Sequence, residues 1–360
     1  MNQEEIVKAL LKPEAYDEKV KRIRVLQTHI SYVFLTGKYA YKIKKPVNFG
    51  FLDFTTLKKR KYYCEKEVEL NRRLCKDLYI GVVPIVKTKD GIKVGGKGKV
   101  IEYAVKMKEL PQSSLMSRLL KKNKIKKDTI ERLARIIAKF HNEAKTGRRI
   151  NEFGSVKTIR FNWDENFEQT REFVGKTITK REYEYIKMKI ESFMKNEATF
   201  ERRIKKRRIR ECHGDLHSGN IFVTNGIYVF DAIEFNERFR FGDVASDVAF
   251  MTMDLIFHGR DDLAKRFLEV YIEESGDDEL LSVLNFYQCY RAYVRGKVES
   301  FKLKDRSIDK NKKKEARASA RKYFKLAYLF ARRIMRKPTL LIVCGLTGVG
   351  KSFLAKELSF

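Results

Sequence analysis

The sequence contains no apolar run near the roughly 18 residues needed to cross a bilayer. Its first twenty residues, MNQEEIVKALLKPEAYDEKV, are too polar and acidic for a secretory leader. A cytoplasmic protein is therefore expected. Cysteine is sparse and odd in number: Cys64, Cys75, Cys212, Cys289 and Cys344 lie far apart, mostly among apolar neighbours. They are read as reduced core thiols, which excludes a disulfide scaffold and argues against a zinc cluster. Proline is scarce at five residues, glutamine is rare, and no internal repeat is visible.

What is present is bulk, pattern and positive charge. A chain of 360 residues with 43% hydrophobic composition can bury the core of one large two-lobed domain or of two ordinary ones. Its formal net charge of +31 attracts polyanions at long range. The positive charge is spread over many segments that also carry Glu, a composition of heat-adapted proteins with many surface ion pairs. The densest basic runs, Arg202–Arg210 and Lys302–Arg321, lack the interleaved aromatics of a single-strand stacking platform. A solvated surface is the preferred reading, and a nucleic-acid partner is left open.

Residues 22 to 107 read as strands around one helix: RIRVLQ, SYVFLTG and YAYKIKK, a helix from Thr55 to Leu74, then VVPIV, GIKVG and VIEYAVKM. From Ser113 onward the pattern turns helical, in SSLMSRLLKK, DTIERLARIIAKFHNEA and REYEYIKMKIESFMKNEATFERR. The expected class is α+β with two lobes, a small sheet-containing N-lobe over 1–110 and a mainly helical C-lobe over 111–336. A basic helical segment over 302–336 precedes a new apolar strand at Thr339–Cys344.

The richest segment is CHGDLHSGNIFVTNGIYVFDAIEF, residues 212 to 235. Asn225-Gly226 between two apolar runs predicts a two-residue type I′ hairpin. Residues whose numbers sum to 451 then face one another, which sets Asn220 opposite Asp231 with Cβ atoms roughly 5 Å apart. Two side-chain oxygens on one hairpin face suit Mg²⁺, which takes one or two protein oxygens and completes its shell with phosphate and water. Asp215, in a loop opened by Gly214, is placed to approach the same phosphate from the other side.

HGDLHSGN followed by VFDAIEF resembles the catalytic and metal-binding loops of the aminoglycoside phosphotransferase and choline kinase group, distant relatives of protein kinases. The resemblance implies a protein-kinase-like fold that uses ATP and Mg²⁺. By it, Asp215 is the catalytic base that orients an attacking hydroxyl, Asn220 and Asp231 hold magnesium, and His213 is a structural member of the loop. His217 is left between loop packing and a substrate or phosphate contact. In GDVASDVAF, Asp247 takes the part of the aspartate that fastens the catalytic loop from below.

A kinase-like first lobe also needs a lysine on its third strand and a glutamate on the next helix. In YAYK, period-two geometry puts Ala40 and Lys42 on one face toward the nucleotide. Lys44 shares that parity and stays an alternative. Tyr63, Glu67, Leu70 and Leu74 fall on one helical stripe, so Glu67 is the acid there, whereas Glu65 and Glu69 point elsewhere. A carboxylate on a core-facing stripe needs a partner, and the strand lysine provides one. Lys108 to Leu110 occupy the place of the hinge that bonds adenine through its backbone. No glycine-rich loop is present. QTHIS, Gln27 to Ser31, joins the first two strands instead, with phosphate contacts expected from its backbone N–H groups and the Ser31 hydroxyl.

A second nucleotide motif ends the sequence. GLTGVGKS, with Gly345, Gly350, Lys351 and Ser352, fits G-x-x-x-x-G-K-[ST] directly after the apolar strand TLLIVC. Lys351 would reach the outer phosphates and Ser352 would ligate magnesium. No acidic second strand follows, and one strand cannot make the parallel sheet such a site rests on. The arrangement resembles a bacterial or archaeal class in which a phosphotransferase-like domain precedes a complete P-loop kinase (AAA-type ATP-binding) domain. QTHISYVFLTGKYAYKIKKPVNFGFLDF, VKMKELPQ and IEFNERFRFGDVASDVAFM carry that likeness across residues 20 to 256. Residues 337–360 are then expected to be the truncated start of that domain, an inert remnant unless another chain completes it.

The expected activity is ATP-dependent transfer to a hydroxyl of a small molecule. Gly214 stands where regulated protein kinases place an arginine, and no activation segment follows DAIEF. A very basic chain does not advertise the acidic pocket that an aminoglycoside would want. The alternatives are a nucleotide-binding regulator with a nucleic-acid or protein partner, and an atypical protein kinase.

Overall fold

The computed structural model describes residues 3–305, 308–335 and 343–358. Its N-terminal part is a six-stranded antiparallel sheet in the order β1-β2-β3-β6-β4-β5. The strands are β1 (Arg24–Gln27), β2 (Ser31–Leu35), β3 (Tyr39–Lys44), β4 (Tyr79–Thr88), β5 (Gly91–Val94) and β6 (Lys99–Lys108). Period-two alternation gives the sheet two apolar faces. Phe34, Tyr41 and Ile43 pack with Ile6 and Leu10 of helix α1 (Gln3–Leu10), an element the sequence patterns did not single out. Leu35, Ala40, Val105 and Met107 pack on Cys64 and Val68 of helix α2 (Leu57–Asn71). Thr56 caps α2 by accepting from the Lys59 amide, and the helix ends three residues before the expected Leu74. Lys42 and Lys44 therefore share the face of β3 that looks at α2.

The remaining helices are α3 (Met116–Lys121), α4 (Lys127–Glu143), α5 (Arg148–Asn151), α6 (Val156–Thr170), α7 (Lys180–Met194), α8 (Glu197–Lys205), α9 (Glu237–Arg240), α10 (Val244–Phe257), α11 (Asp261–Ser275), α12 (Leu280–Phe301), α13 (Lys310–Arg333) and α14 (Lys351–Leu358). One large apolar core joins α4, α6, α7, α10, α11, α12 and α13, with Trp163 fully buried in it. The expected helix over 181–203 is two helices, because the chain turns at Lys195-Asn196.

Two short antiparallel strand pairs carry the loops of interest. β7 (Ile209–Glu211) pairs with β10 (Phe241–Asp243), and β8 (Ile221–Val223) pairs with β9 (Ile227–Val229). The second pair corrects the expected register. Ile221 faces Val229 and Val223 faces Ile227, so paired numbers sum to 450, not 451. The turn is Thr224-Asn225-Gly226, closed by the Thr224 amide donating to the Gly226 carbonyl. Neither Asn225 nor Gly226 takes the positive φ that a type I′ turn requires. Asn220 consequently pairs with Phe230, whose amide donates to its carbonyl, and Asp231 lies one residue beyond the ladder.

Four of the five cysteines are buried, as expected of core thiols, but Cys344 is exposed. The predicted strand at Thr339–Cys344 falls mostly outside the described residues. Among the described residues no helix is long and apolar enough to cross a membrane.

Candidate active site

The loop between β7 and β8 is held from beneath. Asp247, at the start of α10, accepts the His213 amide at 2.7 Å through Oδ2 and the Gly214 amide at 3.0 Å through Oδ1. His141 reaches the same carboxylate at 3.3 Å and is fixed on its other ring nitrogen by the Tyr271 hydroxyl at 2.8 Å. Burial pushes the Asp247 carboxyl up, but the His141 contact, His213 and Arg291 outweigh it and hold it down at about 2. These carboxylate bonds are made by a fully buried, ionised acid, so the loop backbone has one strongly preferred path. Gly214 has φ +87, and a Cβ there would stand 2.6 Å from the Phe239 carbonyl oxygen, so only glycine fits. Its own carbonyl accepts from Arg291 at 2.9 Å.

The buried ring of His213 donates from Nε2 to the Phe230 carbonyl at 3.0 Å and accepts the Asp215 amide on Nδ1 at 3.2 Å. Burial depresses its basicity and keeps it neutral. It ties the Asp215 loop to the strand that leads to Asp231. Asn220 Nδ2 donates to the Asp215 carboxylate at 2.8 Å and to its carbonyl at 3.0 Å. That orientation presents the Asn220 carbonyl oxygen as the atom for a ligand. His217 stands 3.4 Å from the Asp215 carboxylate, packs against Phe250 and accepts the Gly219 amide, so it serves both loop packing and the charge at Asp215. Burial raises the Asp215 carboxyl, while His217, Arg295 and His213 bring it well below the usual carboxylate range.

Facing this loop is a five-member charge cluster. Glu67 is fully buried and receives both lysines of β3, Lys42 at 2.8 Å and Lys44 at 2.7 Å. Lys42 continues to Asp231 at 2.6 Å, and Lys44 continues to Glu234. Burial works against charge on each lysine, but the facing carboxylates prevail and raise both pKa values. Burial likewise opposes the Glu67 anion, and the two ammonium groups overcome it. Glu65 and Glu69 are exposed, in keeping with their places off the stripe. The parity argument left Lys42 and Lys44 open; the structure gives both to Glu67 and only Lys42 to Asp231.

Asp231 adopts φ +64, a left-handed backbone that Asp tolerates better than most residues. It is pinned by residues that sequence patterns did not reveal. Its amide donates to the Tyr79 hydroxyl at 3.3 Å, and the Ala232 amide donates to Asn71 Oδ1 at 2.9 Å. Arg73 donates to the Glu211 and Cys212 carbonyls. These bonds span more than 130 positions, so no local signal announces them. Glu234 had a visible sign, its place three residues after Asp231 in DAIEF.

The β1–β2 loop corrects one expectation. Thr28 Oγ1 accepts the Ile30 and Ser31 amides, and the Thr28 amide donates to the Ser31 carbonyl, so those N–H groups are already engaged. The Ser31 hydroxyl is buried and has no hydrogen-bond partner. In the connection between lobes the Lys108 amide donates to Leu78 and the Glu109 amide to Lys38, while Leu110 is partly buried against the α2 face of the sheet. The Gly345–Ser352 loop lies exposed, with positive φ at Gly345, Gly348 and Gly350 and Lys351 donating to the Leu346 carbonyl.

A cavity of about 700 Å³ opens beside Asp215, between the β1–β2 loop and helices α6 and α12. Of the candidate catalytic groups Asp215 lines this space, which is large enough for a small molecule, and Asn220, bonded to Asp215, and the Lys42–Asp231 pair complete the set outside the cavity. Such a set can hold a phosphate, a cation and a hydroxyl in line.

Comparison with known proteins bears on the fold and the family. A choline/ethanolamine kinase family protein from Mesorhizobium loti superposes over 91% of this chain and 99% of its own, with a TM-score of 0.52 at 10% identity, which speaks for the fold. An uncharacterized protein of Mycobacterium tuberculosis (strain ATCC 25618 / H37Rv) is 32% identical over 336 residues, and one of Mycobacterium bovis matches equally. The alignment takes in 93% of this chain and 64% of each relative, so the chain spans under two thirds of their length. The phosphotransferase enzyme family matches residues 60–282, from α2 through the loops of Asp215 and Asp231 into α12, and the chain belongs to that family.

Proposed function

We propose that this chain transfers the γ-phosphoryl group of ATP to a hydroxyl of a small molecule. The observation that carries the reading is the placement of Asp215, bonded to Asn220 and open on the cavity, across from the Lys42–Glu67–Asp231 chain of ion pairs. Lys42, held by Glu67, aligns the α- and β-phosphates. The Lys108 carbonyl and the Leu110 amide bond adenine, and the unpartnered Ser31 hydroxyl meets the phosphates. The oxygens of Asn220 and Asp231 fit a hard cation, and Lys42 already places a positive charge on Asp231. Mg²⁺ held there would neutralise charge on the phosphate oxygens.

Asp215 stays ionised at neutral pH and accepts the hydrogen bond of the acceptor hydroxyl. As the acceptor oxygen bonds to the γ-phosphorus, the bond from that phosphorus to the bridging oxygen breaks. ADP leaves, and the hydroxyl proton passes to Asp215. Asp247 and His213 act by holding the loop, and Lys44 with Glu234 by holding the Asp231 segment against β3. The Gly345–Ser352 loop takes no part in this reading.

The test is a metabolite screen for ATP-dependent mass gain of one phosphate, followed by Asp215→Asn and Asp231→Ala. Asp215→Asn should lose transfer while calorimetry shows Mg-ATP affinity nearly unchanged. Asp231→Ala should lose magnesium-dependent nucleotide binding. Near-normal turnover in Asp215→Asn would sink the assignment.

A further inference from the structure

The cavity beside Asp215 is lined by many charged groups, and most of them are already paired. Glu165 takes Arg238 at 2.9 and 3.2 Å, and Asp243 takes Arg203 at 2.7 Å. Asp247 holds the loop amides, Arg240 meets Glu211 at 3.1 Å, Lys304 meets Glu172, and Asp305 has a partner of its own. Two cations stand apart from this pairing. Lys297 is buried on α12 and donates to two neutral amide oxygens, Asn166 at 2.5 Å and Gln169 at 2.7 Å, with no carboxylate ion-paired to it among the described residues. Arg295 has no short ion pair: it reaches Glu299 only at 3.9 Å, Glu299 is taken by Lys302 at 2.7 Å, and the other neighbours of Arg295 include Tyr323, which it hydrogen-bonds, and the Asp215 carboxylate at longer range.

An ammonium has three donors, and two of those on Lys297 are used. A buried ammonium without an ion-paired carboxylate is costly unless an anion joins it, and the nearby Glu165 charge is already shared with Arg238. Burial accordingly brings the Lys297 pKa down to about 8. The cavity is poorly equipped for a cation by contrast. Its carboxylates are engaged, apart from Asp215 at the reacting end. Several of its aromatic faces already carry the chain's own cations, Arg291 at 4.9 Å over Phe250, Arg238 at 4.9 Å over Phe239 and Lys297 itself at 5.8 Å over Phe301.

We infer that the acceptor is a hydroxyl compound bearing an anionic group, a carboxylate or a phosphate, and that Lys297 and Arg295 are the residues that select it. This rests on the phosphotransfer reading for the word acceptor, but the anion site stands without it. Charge-assisted hydrogen bonds from a buried ammonium and a guanidinium give such a ligand both affinity and orientation. The hydroxyl then points toward Asp215.

The test reads binding apart from turnover. The full chain, saturated with Mg-ADP, is titrated calorimetrically with inorganic phosphate and, separately, with acetate. Binding of either is expected, weakened at least about tenfold by Lys297→Met and by Arg295→Gln and partly retained by Lys297→Arg. The tighter of the two anions tells phosphate from carboxylate. No binding of either anion, or binding that both substitutions leave intact, overturns the site. ADP release is then measured with a panel of hydroxyl compounds, half of them anionic. Anion binding without ADP release from any member keeps the site and sinks phosphotransfer. ADP release with neutral or cationic members and no anion binding does the reverse.

Discussion

Lys42 and Lys44 grip the same glutamate, yet their removal should have opposite signatures. Lys44 is fully buried between Glu67 and Glu234, so Lys44→Met leaves the buried Glu234 carboxylate without the ammonium it faces. Breaking a buried pair from one side costs about 3–5 kcal/mol. An unfolding entropy of about 2.1 cal/mol/K per residue over 360 residues turns about 4 kcal/mol into a fall in Tm of about 5 °C. Lys42 is 12% exposed at the cleft, and its second partner Asp231 is 42% exposed. In Lys42→Met, Glu67 keeps Lys44 and Asp231 turns to water, so the loss is about 1 kcal/mol and Tm moves by only about 1–2 °C. ATP turnover, followed as ADP release, should nevertheless fall at least about hundredfold, because misaligned phosphates lose the positioning that dominates this chemistry. Scanning calorimetry and the ADP assay on both variants decide it. A Lys42→Met chain that melts as early as Lys44→Met, or one that still turns over while Lys44→Met is stable and inactive, refutes the assignment.

The other predictions concern buried charges. Asp247 has its pKa brought from 3.8 to about 2, worth about 2 kcal/mol, and a depressed carboxyl gives stability that is full above pH 3.8 and lost as pH falls toward 2. Asp247→Asn should flatten that part of an acid-unfolding curve followed by circular dichroism and cut turnover through the loosened His213-Gly214 backbone. Lys297 shows the reverse sign: with its pKa near 8 against 10.5 when unfolded, the folded chain gives up a proton that the unfolded chain keeps between those values. Wild-type Tm should rise from pH 8 to 10, and Lys297→Met should lack that rise and match or exceed wild-type stability at pH 7, where the buried charge costs about 3 kcal/mol.

Much of the site could be read from spacing because its groups are local in sequence. Asp215, Asn220 and Asp231 lie within seventeen positions, and strand parity with helical periodicity is enough to face Lys42 and Lys44 toward Glu67. The hairpin register was missed because the Asn225-Gly226 pair signals a two-residue turn so strongly, whereas Thr224 joins the turn here and shifts Asn220 onto Phe230. Asn71, Tyr79 and Arg73 were illegible for another reason: each meets the second half of the chain through one hydrogen-bonding group, and single polar residues on a helix or strand carry no period. The cavity's selectivity was hidden in the same way. The overall charge of +31 says nothing about which cations are already spent, and only their partners single out Lys297 and Arg295.

The alternation Lys42-Ile43-Lys44 also bears on how the sheet finds its alignment. A slip of β3 by two residues keeps every side chain on its own face. It would set one lysine where the other now meets Glu67, so the first lobe alone has a weak electrostatic preference for the native alignment. The distinction comes from far along the chain. Lys42 must meet Asp231 and Lys44 must meet Glu234, contacts that bridge 189 and 190 positions. Those acids can arrive only after the chain has closed a loop of that length, the slowest kind of contact to form. The alignment of a strand near the start of the molecule is therefore proofread by a segment from its middle.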